Sequence, residues 1–398
     1  MPDFQTISAV IFLVALTIFV FLKRKSLDTK QVIPYFLYFS MYKTSLGLKL
    51  MDSLAKKYKK LMLYLGYFGI LVGFLGMILI SYGLINNIYV LFTSPEAVPG
   101  VGLVLPVKAK GIFFVPFFYW IISIFVIAVA HEFAHGVIAR THNLKVKSSG
   151  FAFLGIVIPI IPAAFVEPDE KELRKRPHKE QLSVFAAGPL SNIAIAFLFA
   201  AIASFVIAPL VNAIIEPNGV KVTDYVKGAE SNEKFPAETA GIQIGEIIQK
   251  VNDMPTLYVN NLSSALRSKK PDDIVLIKTD KSTYEIKLAK NPENESLAYV
   301  GAYLEQSAKT KDSVKEIYGE FLPKAVIWFY GLLVILFILN FGIGVFNLVP
   351  IGPLDGGRML QLVLHKIFDK KKGDRIWTGI GAFFLVIILI NVVMGFVK

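Results

Sequence analysis

The stretch VIAVAHEFAHGVIAR, Val126–Arg140, decides how this chain is read. It is apolar at both ends, yet one pentad holds His131, Glu132 and His135. On a helix each residue advances about 100°, so residues four apart differ by about 40° and project from one face. The ring nitrogens of His131 and His135 can then meet at one Zn2+, with Glu132 near enough to contact a water on the metal rather than the metal itself. Zinc lowers the pKa of such a water to about 7, where a carboxylate can take its proton. The setting sharpens the reading, because ionisable groups within a membrane helix are costly and by default mark function. The bland alternative is a helix end at the interface with solvated polar groups. Counted from Ile112, where the apolar run begins, His131 lies about 19 residues or ~28 Å along, near the far end of the span.

Working outward, the chain has 398 residues, 54% of them hydrophobic, with a mean hydropathy of +0.57. Soluble chains are less apolar, and a hydrocarbon core about 30 Å thick needs roughly 20 apolar residues per helix. Six stretches meet that requirement, at about Phe4–Leu22, Leu61–Ile88, Ile112–Ala139, Leu182–Val211, Lys324–Val349 and Trp377–Val397. The first is followed, not preceded, by its basic residues Lys23, Arg24 and Lys25, which argues against a cleaved signal. Cysteine is absent, so a transition metal must be held by His, Asp or Glu, and only five histidines are available. The formal charge of +12 would suggest nucleic acid in a soluble protein. Here Lys and Arg flank apolar segments and read as membrane orientation, with no nucleic-acid partner. Segments 23–60, 140–181 and 358–375 are basic and belong in the cytoplasm, so both termini and the loop after the fourth span lie outside. Lys108 and Lys110 are a mild dissent.

That loop, residues 218–306, is mixed and polar. GVKVTDYV, GEIIQKVN, DIVLIKTD and TYEIKLA alternate like half-buried strands, and VNNLSSALRSK reads as a short helix. It is a soluble α/β-mixed domain on the extracytoplasmic side. A second irregular segment, GFAFLGIVIPIIPAAFVEPDE at 150–170, is apolar but carries Pro159 and Pro162. Proline removes a helical hydrogen bond, so the segment reads as an extended or hairpin element dipping towards the membrane, with a further short span as the alternative.

A catalytic zinc expects three protein ligands. His142 is one place late for the longer soluble motif, which would want histidine at the position of Thr141. Glu167, Asp169 and Glu170 follow the hairpin in a densely charged loop, and His178 and His365 lie in basic stretches. The better candidate is Asp355 in FNLVPIGPLDGGRML, which the charge rule puts at the same membrane face as His131 and His135. Gly352, Gly356 and Gly357, with Pro350 and Pro353, argue against a regular helix there and for a bent backbone that aims one carboxylate inward. The bland reading is an Asp-Gly turn at the membrane surface.

With these motifs in hand the sequence resembles the site-2 protease family of intramembrane zinc metalloproteases, archaeal type. HEFAH lies in a span, NLVPIGPLDGG is similar to the family's Asn-x-x-Pro and Leu-Asp-Gly motif, and FAAGPLSN, Phe185–Asn192, resembles its core-helix stretch. The likeness covers about residues 112–397. FPAETAGIQIGEIIQKVNDMPT resembles a protease-associated PDZ domain, with Glu246 at the usual aspartate. The resemblance implies a polytopic α-helical membrane protein with an inserted small α/β-mixed PDZ-like domain. It implies two N-terminal helices and a loop at 1–111, a first catalytic half at 112–217, the PDZ-like domain at 218–306 and a second catalytic half at 307–398. It implies one Zn2+ per chain on His131, His135 and Asp355, Glu132 as general base, and Asn192 and Asn347 beside the substrate peptide. The partners it implies are a transmembrane protein substrate, the lipid bilayer, and a peptide or substrate ectodomain at the PDZ-like domain. Asn192 can alternatively bond a neighbouring helix. A metal transporter would want dispersed ligands and internal repeats, and neither is found. A membrane scaffold would need neither Glu132 nor the distant Asp355.

Overall fold

The computed structural model describes residues 4–33, 37–94, 97–155, 159–226, 234–292 and 294–397. The chain divides into two compact units, Met1–Ala203 with Gly331–Lys398, and Ser204–Tyr330. Among the described residues, six helices are long and apolar enough to cross a membrane, at Phe4–Ser26, Lys59–Thr93, Phe117–Thr141, His178–Ile214, Phe321–Phe346 and Lys370–Val397. Large apolar side chains such as Leu79, Phe92 and Phe383 stand exposed on them, as lipid-facing residues do. The chain is a polytopic α-helical membrane protein with an inserted α/β-mixed domain.

In the first unit α1 (Phe4–Lys23) leads into a hairpin of β1 (Leu27–Ile33) and β2 (Leu37–Thr44). Then come the amphipathic α2 (Leu48–Lys57) and the long α3 (Lys59–Thr93). The expected basic loop 23–60 holds two strands: β1 pairs with β2, and β2 pairs antiparallel with β5 (Val146–Gly155), a partner more than a hundred residues away, Tyr42 opposite Phe151. The last strand, β6 (Pro159–Pro168), pairs antiparallel with β5, Ala164 opposite Phe151, which completes the order β1-β2-β5-β6. The segment read as a hairpin is therefore the β5–β6 pair; residues 156–158 lie outside the described residues. Its prolines are tolerated because β6 is an edge, where a missing N–H breaks no ladder.

α4 (Phe117–Thr141) carries the pentad. It starts later than the expected Ile112, because Gly111 takes a left-handed φ of 74° and Pro116 caps the helix. Ile112–Phe114 instead forms a short strand, β4, parallel to β3 (Leu103–Leu105). His131 is therefore only ~21 Å from the first residue of its helix and ~15 Å from the last, at 1.5 Å per residue. The pentad sits deeper than the count from Ile112 suggested.

α5 (His178–Ala201) packs against α3 along a row of small residues. A Cβ added at Gly66 would meet Ser183, and one at Gly69 would meet Ala186 and Leu190. Small residues let helix backbones approach closely where no hydrophobic force between helices operates. The span continues through a π-helical stretch, Ile202–Ile207, to Ile214.

The second unit holds the inserted domain. Its sheet runs β10-β9-β8-β7-β11, with β7 (Ile215–Tyr225), β8 (Ile247–Val251), β9 (Ile274–Thr279), β10 (Thr283–Lys287) and β11 (Ala302–Thr310), all antiparallel. Helix α6 (Val259–Arg267) packs on it through Leu262 and Ala265. Glu246 is buried and accepts hydrogen bonds from the hydroxyls of Thr279 (2.7 Å) and Tyr284 (3.0 Å). A buried carboxylate needs such partners.

The chain then returns as α7 (Phe321–Phe346), α8 (Asp355–Ile367) and α9 (Lys370–Val397). Here an expectation fails: Gly356 and Gly357 do not prevent a helix but lie inside the first turn of α8. They are glycines for another reason. A Cβ on Gly356 would collide with the Leu348 carbonyl, and one on Gly357 with the Ile351 carbonyl. The turn is folded flat onto the loop that precedes it, with the Gly356 N–H donating to the Asn347 carbonyl at 2.8 Å.

Candidate metal centre

His131 and His135 stand one turn apart on α4, with Nε2 atoms 3.1 Å from each other. Asp355, the first residue of α8, brings Oδ2 to 3.0 Å from His131 Nε2 and 3.4 Å from His135 Nε2. Among the described residues these three form the one group of His, Asp or Glu able to hold a metal ion together. Bonds of about 2.0–2.2 Å in a tetrahedral arrangement put ligand atoms roughly 3.3 Å apart. The three donor atoms stand at about that separation, so the residues fit zinc.

The surroundings support the same donor set. His135 Nδ1 donates to the Val184 carbonyl at 2.7 Å, which leaves the Nε2 lone pair free for a metal. Asn192 is buried on α5, its amide nitrogen 3.2 Å from His131 Nδ1 and its Oδ1 without a partner among the described residues. A half-turn of that amide answers both observations, since the oxygen then accepts the Nδ1 proton and frees His131 Nε2 in turn.

Room for the two rings is made by Gly188 of α5. A Cβ there would lie 2.6 Å from His131 Nε2 and closer still to His135 Nε2. The FAAGPLSN motif does not by itself reveal this role. The signal was a glycine in mid-helix, where the residue costs about 1 kcal/mol against alanine and so calls for a packing reason. Gly188→Ala is expected to weaken zinc binding at least about tenfold, because the added carbon would push both donor rings out of place. Gly83→Ala on α3, where no atom lies within 4 Å of the added carbon, should leave it unchanged. Chelator-competition titration of both variants checks this, and equal affinities would refute the packing role.

Glu132 is not one of the three donors; the Val166 N–H of β6 donates to its Oε2 at 3.0 Å. That bond was not foreseeable from sequence, since it depends on the hairpin docking against α4. Asn347 is half-buried just beyond the end of α7. The other candidates are engaged elsewhere. His142 Nε2 lies 2.8 Å from Ser183 Oγ, Glu167 accepts from Ser148 Oγ at 2.7 Å, and Asp169 pairs with Lys147 at 3.0 Å. Glu170 lies 3.6 Å from Arg358, and His365 2.7 Å from Asp374. His178 opens α5, away from the cluster.

Comparison with known proteins agrees with this chemistry. The sequence profile described as peptidase family M50 matches residues 119–388, about two-thirds of the chain. An uncharacterized protein of Methanocaldococcus jannaschii is 27% identical over 88% of this chain and 84% of its own length. A Staphylococcus aureus protein provisionally named a zinc metalloprotease is 26% identical over 63% of this chain, which spans 66% of that protein's length. A protein named zinc metalloprotease, also from Methanocaldococcus jannaschii, is 41% identical over 15% of this chain and 18% of its own. Among solved structures, the PDZ domain of an SdrC-like protein from Listeria monocytogenes aligns with 22% of this chain and 87% of its own, at 22% identity and a TM-score of 0.19.

Proposed function

The chain belongs to peptidase family M50, the site-2-type zinc metalloproteases, and from that premise we propose that it hydrolyses peptide bonds within or next to the transmembrane segments of other membrane proteins. The observation that carries the reading is the donor set itself: His131 and His135 lie inside a membrane-crossing helix and Asp355 meets them there. A soluble substrate gives no reason for such a setting.

His131, His135 and Asp355 would hold the zinc. Bound there, zinc supplies Lewis acidity that brings the pKa of water to about 7 and polarises a carbonyl. Glu132 takes the proton of the attacking water and passes it to the leaving amine. Until then its carboxylate is held by the Val166 N–H. A helical substrate must unwind before attack, because its carbonyls are already hydrogen-bonded and shielded. The exposed edge of β6 offers the unwound backbone a strand to pair with, next to Glu132. Asn347 stands at the end of a span where its amide can donate to the peptide or to an oxyanion.

For Asn192 two roles compete, and its burial against His131 favours orienting the ligand over touching substrate. Asn192→Ala should then lower zinc affinity about 10–100-fold. A fall in kcat with zinc affinity unchanged would return Asn192 to the substrate. The basic segments support a site in the cytoplasmic half of the membrane and the PDZ-like domain on the outer side, where it engages a peptide or a substrate ectodomain.

Membrane-fraction proteomics tests the function. Cells carrying Glu132→Gln in place of the wild type should accumulate uncut membrane-bound stubs. Identical membrane proteomes would count against the proposal.

A further inference from the structure

One face of the four-stranded sheet carries Tyr42, Phe151 and Ala164 in a row across β2, β5 and β6. Residues two apart share a face, so Phe153 and Pro162 lie on it too. Phe19 of α1 meets Tyr42 and Phe153, each with ring centroids 5.8 Å apart, and Phe125 of α4 stacks on Phe151 at 6.5 Å. The face is thus roofed by α1 and α4, but incompletely. Between them lies a cavity of about 360 Å3, lined by Phe12 and Leu16 of α1, Phe125 and Ala128 of α4, and Phe151 and Ala164 of the sheet. Its lining is almost wholly apolar. An apolar cavity of ~150 Å3 already holds a benzene ring, so this one has room for a phenyl or isobutyl group.

Its position relative to Glu132 is fixed twice over. On α4, Ala128 precedes Glu132 by one turn, ~6 Å. On β6, Ala164 precedes Val166, the residue bonded to Glu132, by two places, ~6.6 Å. Backbone groups of a strand alternate between its two sides. Since the Val166 N–H faces Glu132 rather than β5, the N–H and carbonyl of Ala164 face the same open edge. A peptide strand laid along that edge pairs with Ala164, and its residue opposite Ala164 turns its side chain to the Phe151 face.

We propose that this cavity is the enzyme's side-chain specificity pocket, taking one large apolar residue of the substrate two residues from the cleaved bond. The inference rests on strand addition at β6, as argued for the function. The occupant is a side chain of the substrate and not a lipid tail because the unpaired backbone edge of Ala164 borders the cavity, so a strand paired there turns its side chain into it. Ala164, whose side chain is a single methyl group, keeps it open.

The test uses full-length protein in phosphatidylcholine vesicles and synthetic single-span peptides with an alanine–leucine host and one guest residue, alanine, leucine, phenylalanine or tryptophan, stepped along the span. Cleavage sites are read by mass spectrometry. Wild type should favour leucine or phenylalanine over alanine at the position two residues from the cleaved bond. Ala164→Leu, which fills the pocket, should reduce that preference at least about tenfold, the scale on which a pocket reads methylenes, and leave other positions alone. Phe151→Ala should extend the preference to tryptophan. Zinc content of one per chain confirms that each variant is folded at its centre. A wild type without positional preference, or an Ala164→Leu variant that slows all guests equally, as loss of a lipid-filled packing site would, overturns the pocket. Cleavage that persists in Glu132→Gln would instead overturn the protease reading beneath it.

Discussion

Glu132→Gln is expected to reduce peptide cleavage by about three orders of magnitude while the zinc content stays at one per chain. The glutamate lies off the cluster of donor atoms, its Oε2 held by the Val166 N–H at 3.0 Å, so its amide replacement removes no ligand. The glutamine side chain is the same size and its oxygen still accepts that hydrogen bond. What disappears is the ability to take a proton from water and return it to an amine. Positioned general acid–base groups contribute roughly 10^2–10^4-fold, and here one residue does both transfers. Metal analysis by mass spectrometry alongside a cleavage assay separates the two quantities. Loss of zinc in this variant would mean that Glu132 is itself a ligand.

Asp355→Ala should act in the opposite order, with zinc lost first and activity in consequence. Oδ2 lies within 3.4 Å of both Nε2 atoms and supplies the only negative charge in the donor set. Without it two imidazoles remain, one fewer than a catalytic zinc requires. The expected drop in affinity exceeds the ~10–100-fold seen on removing an outer-shell partner. Asp355→Asn should be intermediate, since the amide keeps an oxygen but loses the charge. Chelator competition measures both. Wild-type affinity in Asp355→Ala would require a different third ligand.

Much of this was legible in the sequence because the bilayer simplifies it. Without water to satisfy the backbone, a span must be a continuous apolar helix, so all six were found with ends displaced by a few residues. The pentad was legible because helical spacing alone brings His131 and His135 together. Asp355 was legible from the charge rule, which put it at the same membrane face as His131 and His135, and the resemblance then made it a ligand. The illegible parts depended on distant pairing or on close packing. β2 was hidden in a basic loop because one of its partners, β5, lies more than a hundred residues away, and β1 follows by pairing with β2. The first turn of α8 was misread because Gly356 and Gly357 looked like helix breakers, when they are the residues that let that turn lie against the Leu348 and Ile351 carbonyls. Gly188 and the Val166–Glu132 bond are the same kind of feature, meaningful only once α5 and β6 are laid beside α4.

Water activated inside the membrane to cut a membrane-embedded peptide is the chemistry at stake. Its most direct test is to co-reconstitute the protein with a single-span substrate and locate the cut by mass spectrometry, with wild type and Glu132→Gln side by side. The expected result is a cut within or next to the substrate's apolar span, made by the wild type and absent with the variant. A cut confined to soluble regions well away from the span, or one that Glu132→Gln makes equally well, would contradict it.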